Sequence, residues 1–421
     1  MTPSRGPLDV WLGTDLVGQL HDVGDGRCDL VWGRAAAARF GTGSRVVGHL
    51  LPVRREGGSA GVAVSTVFLN GLMPEGALRT HRAVAVGVDP DDLFAMVARF
   101  GQDTAGALVF QAAGSPAPAG GERVKLDEAE IADMLTRENY YNPAGTSPTS
   151  LAGVQPKVSL YRDSGSETWY RWTDRGPTTH IIKLGSPEGS PIFDVVDTEA
   201  GCLDLARRIK LTTIEARVQP FAAVRGLVIS RYDRIVLPNA SVRRVHQEDA
   251  GQALGINTTE MERKFQRGRA LPSLAKIAEV LKAGGSEPDA LLALTTFNLA
   301  VGNTDAHAKN IAVLRPTVGP AKLAPAYDIA MYGHHPVANP RFAMHINGQD
   351  EVRAITGTDL VAEGMSWKLP RQRALRVVRE TLERLETALA QIAREDHPGV
   401  SSVAWRCVEK QTAALLGSLE R

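Results

Sequence analysis

Cysteine is scarce in this chain of 421 residues. The three cysteines, Cys28, Cys202 and Cys407, lie far apart and form no Cys-x-x-Cys pair. Their spacing indicates neither a disulfide framework nor a zinc site, and it is typical of a protein from a reducing cytoplasm.

Long apolar runs and an excess of charge are also missing. No stretch approaches the roughly 18 apolar residues that cross a bilayer, and residues 1–11 lack the apolar centre of a signal peptide. The 48 basic and 47 acidic residues give a net charge of +1, which is too small a field to attract nucleic acid or an anionic membrane. We therefore expect a cytoplasmic protein with no membrane contact.

The composition that remains is that of a soluble globular protein, with 43% hydrophobic and 23% charged residues. A chain of this length can form more than one hydrophobic core, because domains usually hold roughly 50 to 250 residues. The run 112–121 is rich in Pro, Gly and Ala, and it predicts a linker or an exposed loop. We predict three units, which comprise residues 1–122, 123–237 and 238–421.

Periodicity predicts an α+β protein. Short apolar runs between Gly and Asp turns predict strands at 8–50, and helical spacing follows at 77–86 and 91–100. The middle unit mixes strand-like runs with one helix at 196–209. Helices predominate from about residue 247 and are predicted at 271–282, 288–301, 370–394 and 403–419. A β-containing lobe thus precedes a helical lobe.

The segment 303–310, Asn-Thr-Asp-Ala-His-Ala-Lys-Asn, is spaced for phosphoryl transfer. In protein kinases an Asp faces the acceptor hydroxyl, and an Asn five residues later and a further Asp hold magnesium against the phosphates of ATP. Asp305, Asn310 and Asp328 follow this order. The alternative is a structural loop in which Asp305 caps a helix beside a buried histidine. The apolar helix before the segment and the strand-like runs beyond it favour catalysis.

Lys183 and Glu199 are spaced like a phosphate-binding lysine and its supporting glutamate. Lys183 closes the apolar strand that begins at His180, and Glu199 lies on the predicted helix that follows. A glutamate fixes such a lysine so that the ammonium meets the α- and β-phosphates in one position. An exposed lysine and a solvated helix residue are the alternatives.

Three further segments have weaker signals. The loop 147–157 is small, hydroxylated and centred on Gly153, which suits backbone contact with phosphate, but it matches no established glycine pattern and could be a plain loop. The strand end at 229–234 is either an interlobe hinge that meets adenine or an ordinary strand end. The segment 246–255 resembles a short capped helix with an architectural role under the site, since adjacent helical residues point in different directions and cannot share a metal.

Together these motifs resemble the HipA family, the serine/threonine kinase toxins of bacterial type II toxin–antitoxin systems. The resemblance covers nearly the whole chain, and several motifs in family order are more specific than any one of them. In chain order the motifs are Asn70-Gly71-Leu72-Met73-Pro74-Glu75-Gly76 and the segments 150–157, 180–183, 231–234, 246–255, 304–310 and 327–328.

The resemblance implies a two-lobed kinase-like fold with an extra N-terminal subdomain, which uses ATP and Mg²⁺ to phosphorylate a protein serine or threonine. Asp305 would be the catalytic base, and Asn310 and Asp328 would bind Mg²⁺. Ser230 stands where some relatives have an acidic residue, so adenine contacts there would use the backbone. The implied nucleotide-binding residues are Ala152, Gly153, Val154, Gln155, Pro156, Lys157, Lys183, Ser230, Arg231, Tyr232, His307, Ala308, Lys309, Asn310, Tyr327 and Asp328.

The resemblance also implies regulation by autophosphorylation. Family members phosphorylate a serine of their own phosphate loop, which ejects the loop and switches the kinase off. Ser150 is the matching position, and Ser147 is the second candidate. A phosphoserine adds about −1.5 to −2 charge beside the bound phosphates, so like-charge repulsion provides a physical cause.

Partners are implied as well. Family toxins inactivate translation components, typically an aminoacyl-tRNA synthetase, and a small helix-turn-helix antitoxin that binds operator DNA neutralises them. The near-zero net charge agrees with DNA contact mainly through the antitoxin. Two other functions fit the motifs, namely a small-molecule phosphotransferase and a non-catalytic antitoxin partner or corepressor.

Overall fold

A computed structural model describes residues 5–139, 156–173, 176–186, 189–268, 271–337 and 339–420. The predictions for Ser147, Ser150 and the loop residues Ala152, Gly153, Val154 and Gln155 lie outside the described residues and stay predictions.

The N-terminal part is a four-stranded antiparallel sheet covered by helices. Its strands are β1 (Leu8–Leu12), β2 (Asp15–Gly24), β3 (Arg27–Trp32) and β4 (Leu108–Ala112), in the order β3-β2-β1-β4. Its helices are α1 (Arg34–Phe40), α2 (Val62–Leu72), α3 (Gly76–Ala85) and α4 (Leu93–Phe100). Alternate residues of β1, Leu8, Val10 and Leu12, share one core with α2 and α4. The prediction of strands throughout 8–50 is wrong at α1.

The middle part is built on a six-stranded sheet. Its strands are β5 (Arg123–Leu126), β6 (Lys157–Arg162), β7 (Trp169–Trp172), β8 (His180–Leu184), β9 (Ala216–Phe221) and β10 (Val224–Ser230), in the order β5-β7-β6-β8-β10-β9. Its helices are α5 (Glu128–Asn139) and α6 (Val195–Arg208). Val196 and Leu203 of α6 pack with Leu227 and Ile229 of β10, so α6 lies against the sheet next to β8, which carries Lys183.

The C-terminal part is mainly helical and follows a hairpin of β11 (Arg234–Val236) and β12 (Val242–Arg244). Its helices are α7 (Ala250–Ala253), α8 (Leu274–Ala283), α9 (Asp289–Ala300), α10 (Gly357–Ser366), α11 (Arg371–Gln391) and α12 (Ser402–Gly417). Two small antiparallel sheets accompany them, one of β13 (Gln247–Asp249), β14 (Ala312–Leu314) and β15 (Lys322–Leu323), the other of β16 (Arg341–Ile346) and β17 (Gln349–Glu351).

Helix α9 is the centre of this part. Nine of its 12 residues are buried, including Leu291, Phe297 and Leu299 from different sides of the helix, because its sequence is apolar all round. It pairs with α11 and contacts α10 and α12. The core therefore holds the C-terminal end of α9, from which the segment 303–310 starts.

The helices predicted for the C-terminal part are confirmed as α8, α9, α11 and α12, with ends that differ by a few residues. The helix predicted within 246–255 is wrong at its start, because β13 pairs there with β14, and α7 begins only at Ala250. Asp249 and Gln252 form a reciprocal capping box at the N-terminus of α7. Among the described residues, every helix is too short or too polar to cross a bilayer.

Candidate active site

A cavity of about 680 Å³ is lined by residues of all three parts of the chain. Of the predicted nucleotide-binding residues that the structure describes, two do not line it. Ala308 is buried in the helical core, and the carbonyl of Pro156 accepts a hydrogen bond from the Leu184 N–H at 3.1 Å. The predicted residues that do line it are Lys157, Lys183, Glu199, Ser230, Arg231, Tyr232, Asp305, His307, Lys309, Asn310, Tyr327 and Asp328.

Lys183 binds two carboxylates at this cavity. Its ammonium lies 2.7 and 2.8 Å from the two carboxylate oxygens of Glu199 and 2.5 Å from Oδ1 of Asp328. The side chains of Lys183 and Glu199 are 7% and 3% exposed, whereas that of Asp328 is 44% exposed. Asp328 has a left-handed φ of 57°, which Asp tolerates better than most residues. Its carboxylate therefore contacts the buried Lys183–Glu199 pair and is also accessible from the cavity.

The charges of Lys183 and Asp328 are maintained at neutral pH. Burial disfavours the Lys183 ammonium, but the carboxylates of Asp328 and Glu199 outweigh burial and raise the pKa of Lys183. Burial also disfavours the Asp328 carboxylate, but the ammonium groups of Lys183 and Lys157 hold the pKa of Asp328 well below its usual range. Both groups are therefore ionised.

The segment after α9 turns sharply and places Asp305 at the cavity. Gly302 has a left-handed φ of 71° just beyond the helix end. The main-chain carbonyl of Asp305 then accepts hydrogen bonds from the His307 N–H at 2.7 Å and from Nδ2 of Asn310 at 2.9 Å. Because its amide nitrogen holds the loop, Asn310 has its side-chain oxygen left for a cation.

Asp305 has the properties of a base. Burial, and next the nearby carboxylate of Asp328, raise the pKa of Asp305 to about 7. The side chain is nevertheless 45% exposed, so it lies in the cavity wall and can be reached from the cavity. A carboxylate that titrates near neutral pH is suited to accept a proton from a hydroxyl group.

His307 lies in the same cavity wall as Asp305, and its ring is neutral. Burial, and next the ammonium of Lys264, lower the pKa of His307 to about 3. Its Nε2 lies 3.9 Å from Oδ1 of Asp305, which is too far for a hydrogen bond, and the ring packs edge-on against Phe265 at 5.1 Å between centroids. His307 is therefore not a second charged group at the site.

A second lysine stands next to Lys183. Lys157 at the start of β6 is paired in register with Lys183 of β8, and it is also buried. Burial, and next the charge of Lys183, lower the pKa of Lys157 to about 8. Two adjacent lysines at one cavity favour an anionic ligand.

The predicted hinge has its polar side chains occupied within the protein. The hydroxyl of Ser230 accepts a hydrogen bond from the Glu215 N–H at 2.8 Å. The guanidinium of Arg231 is 2% exposed and binds Asp103 and Asp233. The rings of Tyr232 and Tyr327, with centroids 5.6 Å apart, form an aromatic wall.

Lys309 connects the site to the N-terminal part. Its ammonium donates to the main-chain oxygen of Gly71 at 2.8 Å, and it lies 3.1 Å from Asp249 Oδ2 and 3.3 Å from Glu75 Oε1. Its charge is therefore matched inside the protein, which the sequence did not predict. Lys264, the last residue of a short 3₁₀ helix (Met261–Lys264), also binds Glu75, at 3.4 Å. With Phe265 it lines the cavity from a segment that contains no recognisable motif.

The sheet, the lysine–glutamate pair and the cavity-lining Asp, Asn and Asp define a kinase-like protein. Residues 8–111 match the family model of the HipA N-terminal domain, and residues 149–389 match that of the HipA-like C-terminal domain. The chain therefore belongs to the HipA family of serine/threonine kinase toxins, as its motifs predicted.

Relatives extend this match along the chain. Y4mE of Sinorhizobium fredii is 35% identical over 312 residues, which is 70% of each protein. The serine/threonine-protein kinase toxin HipA of Shewanella oneidensis is 26% identical over 343 residues, or 78% of this chain and 77% of that one. A chain of the solved complex of Shewanella oneidensis HipA, HipB and operator DNA matches with a TM-score of 0.77 at 22% identity. The match covers 98% of this chain and 97% of that chain, which confirms the fold over its length.

Proposed function

We propose that this protein transfers the γ-phosphoryl group of ATP to a serine or threonine hydroxyl of another protein. The observation that carries the proposal is the position of Asp305, with its pKa near 7, at the cavity where Lys183 binds both Glu199 and Asp328. Membership of a family of kinase toxins supports it.

Asn310 and Asp328 would hold Mg²⁺. Magnesium prefers one or two carboxylates with water and phosphate oxygens completing its shell. The exposed and ionised carboxylate of Asp328 and the remaining side-chain oxygen of Asn310 fit this preference. When bound, the ion would neutralise charge on the β- and γ-phosphates.

The other side chains of the cavity have separate roles in this proposal. Lys183, oriented by Glu199, would contact the phosphates, and Lys157 would add positive charge beside it. The carboxylate of Asp305 would accept the proton of the acceptor hydroxyl as its oxygen bonds to phosphorus. Tyr232 and Tyr327 would pack against the base of the nucleotide.

We further propose that the protein acts as a toxin, with a translation component such as an aminoacyl-tRNA synthetase as its target and a helix-turn-helix antitoxin as its partner. The match to a chain solved in complex with an antitoxin and operator DNA supports the partner. The net charge of +1 favours DNA contact mainly through that antitoxin. Autophosphorylation of Ser150 would switch the kinase off, and the position of Lys157 at the cavity, shortly after Ser150 in the chain, supports this.

Labelling with radioactive ATP tests the proposal. Purified protein, Mg²⁺ and a bacterial extract are expected to yield phosphoserine or phosphothreonine in protein, and Asp305→Asn or Asp328→Asn is expected to abolish it. Asp350→Asn is the control, because Asp350 pairs with Arg341 and neither residue lines the cavity. Labelling of a metabolite alone would favour the small-molecule phosphotransferase, and growth arrest by the two inactive variants would favour the non-catalytic partner.

A further inference from the structure

Asp194, His334 and His335 form a buried cluster beside the cavity. Asp194 stands at the N-terminus of α6, and the two histidines lie in a turn of the segment that follows Asp328. Nε2 of His334 lies 2.8 Å from Oδ2 of Asp194, and Nε2 of His335 lies 2.9 Å from Oδ1. One ligand atom from each residue falls within 4.8 Å of the other two, and the three side chains are 1–6% exposed.

Hydrogen bonds satisfy this cluster only in part. Nε2 of His334 and Oδ2 of Asp194 form a hydrogen bond, whereas Nε2 of His335 and Oδ1 of Asp194, which lie 2.9 Å apart, do not have hydrogen-bond geometry. Both of these atoms are buried, and neither has another hydrogen-bond partner among the described residues.

Buried polar atoms without a hydrogen-bond partner are unfavourable, and a cation bound between them would satisfy them. A metal ion satisfies both atoms without a proton.

We propose that Asp194, His334 and His335 bind a divalent transition-metal ion, with zinc as the occupant. Two imidazoles and one carboxylate are the protein ligands of open zinc sites, in which water takes the fourth position. Ligand atoms at about 2.0–2.1 Å from a tetrahedral zinc lie roughly 3.3 Å apart. The observed 2.8 and 2.9 Å therefore need to widen by only about half an ångström, which small side-chain rotations provide.

The site would join two elements that position the active centre. Helix α6 carries Glu199, and the segment with the two histidines begins at Asp328. A metal that connects them would hold both carboxylates around Lys183. This positioning role rests on the proposed function, whereas metal binding itself does not.

Titration of the full-length protein tests the site. Protein treated with a chelator is titrated with Co²⁺, whose visible absorption reports tetrahedral ligation, and with Zn²⁺ in competition with a coloured chelator. Excess Mg²⁺ is present throughout to fill oxygen sites. We expect one equivalent of bound ion and a rise in melting temperature with Zn²⁺.

The ligands are tested by Asp194→Asn, His334→Gln and His335→Gln. Loss of a residue that only supports a metal ligand typically weakens metal binding by roughly 10- to 100-fold. Because these three residues are the ligands themselves, each substitution is expected to weaken binding by at least that factor. The control is His397→Gln, because His397 pairs with Asp204 at 3.2 Å outside the cluster, and it is expected to bind normally.

Absence of stoichiometric Zn²⁺ and Co²⁺ binding by the wild type would overturn the proposal, as would full binding by both histidine variants. The histidine variants decide the question if Asp194→Asn fails to fold. These measurements use no ATP, so a failure of the kinase proposal would leave their result standing.

Discussion

The ammonium of Lys183 contacts the carboxylate of Asp328 at 2.5 Å, across 145 positions of sequence. In protein kinases the corresponding lysine meets phosphate and the corresponding aspartate meets magnesium. Binding of a nucleotide with its metal ion would therefore replace the direct contact between Lys183 and Asp328 with two new contacts. Lys183 would contact a phosphate, and Asp328 would contact the cation. Glu199 holds Lys183 in place during this exchange, because it binds the ammonium through both carboxylate oxygens.

Replacement of Lys183 is expected to damage catalysis more than folding. Lys183→Gln should lower kcat by on the order of 100-fold, because a preorganised cation is lost from the phosphates. Glu199→Gln should have a smaller effect, since Asp328 still holds the ammonium. Steady-state kinetics with varied ATP provide the measurement, and Lys276→Gln, in an exposed pair with Glu279, is the control. Unchanged kcat/KM in Lys183→Gln would remove the lysine from the mechanism.

The pH dependence of the reaction should report Asp305. The base must be ionised to accept a proton, and its pKa is raised to about 7. We therefore expect kcat/KM to rise about tenfold per pH unit below 7 and to level off above it. The measurement is the rate between pH 5.5 and 8.5 at saturating Mg²⁺. A rate that stays constant down to pH 5.5 would show that no group with this pKa serves as the base.

The same pKa has a consequence for stability. Because the folded state raises the pKa of Asp305 above its unfolded value, stability decreases as pH rises from about 4 to about 7. Asp305→Asn removes this cost, so it should raise the melting temperature at pH 8 and have little effect at pH 4. The side chain is 45% exposed, which screens its charge, so we expect a rise of about 1 to 3 °C. A lower melting temperature at pH 8 would contradict the assignment.

A buried ion cluster joins the N-terminal part to the hinge. Asp103, only 4% exposed, binds Arg231, Arg234 and Arg244 at 2.7 to 3.1 Å. Asp103→Ala leaves three buried guanidinium groups short of a carboxylate, so we expect a loss of about 3–5 kcal/mol in the free energy of unfolding. Urea unfolding measures this loss.

The matched control for Asp103→Ala is Asp133→Ala, because Asp133 is 52% exposed and pairs with Arg137 on the surface of α5. The control should change the free energy of unfolding by less than about 0.5 kcal/mol. Equal effects of the two substitutions would show that the buried cluster contributes no more than a surface pair.

The pairing of Lys183 with Glu199 could be predicted from sequence, because both residues lie on periodic elements and their spacing is short. Helix α5 could also have been predicted. Asp127 and Glu130 bond reciprocally to each other's N–H at its start, which is a capping pattern visible in the sequence.

Contacts between distant segments could not be predicted. The Lys309 ammonium binds an oxygen of Gly71, 238 positions away, and local spacing contains no information about that partner. Asp194 is likewise 140 positions away from His334 in its cluster. Paired histidines at 334 and 335 are the only local signal for that cluster, and they become informative only when α6 is placed against them.

Phosphoproteomics after brief expression in a bacterial host tests the central claim most directly. The wild type is compared with Asp305→Asn at equal protein level. We expect a small set of new phosphoserine or phosphothreonine sites in the wild type, including Ser150 of the protein itself, and their absence in Asp305→Asn. The same phosphosites in both samples, or no new site in either, would contradict it.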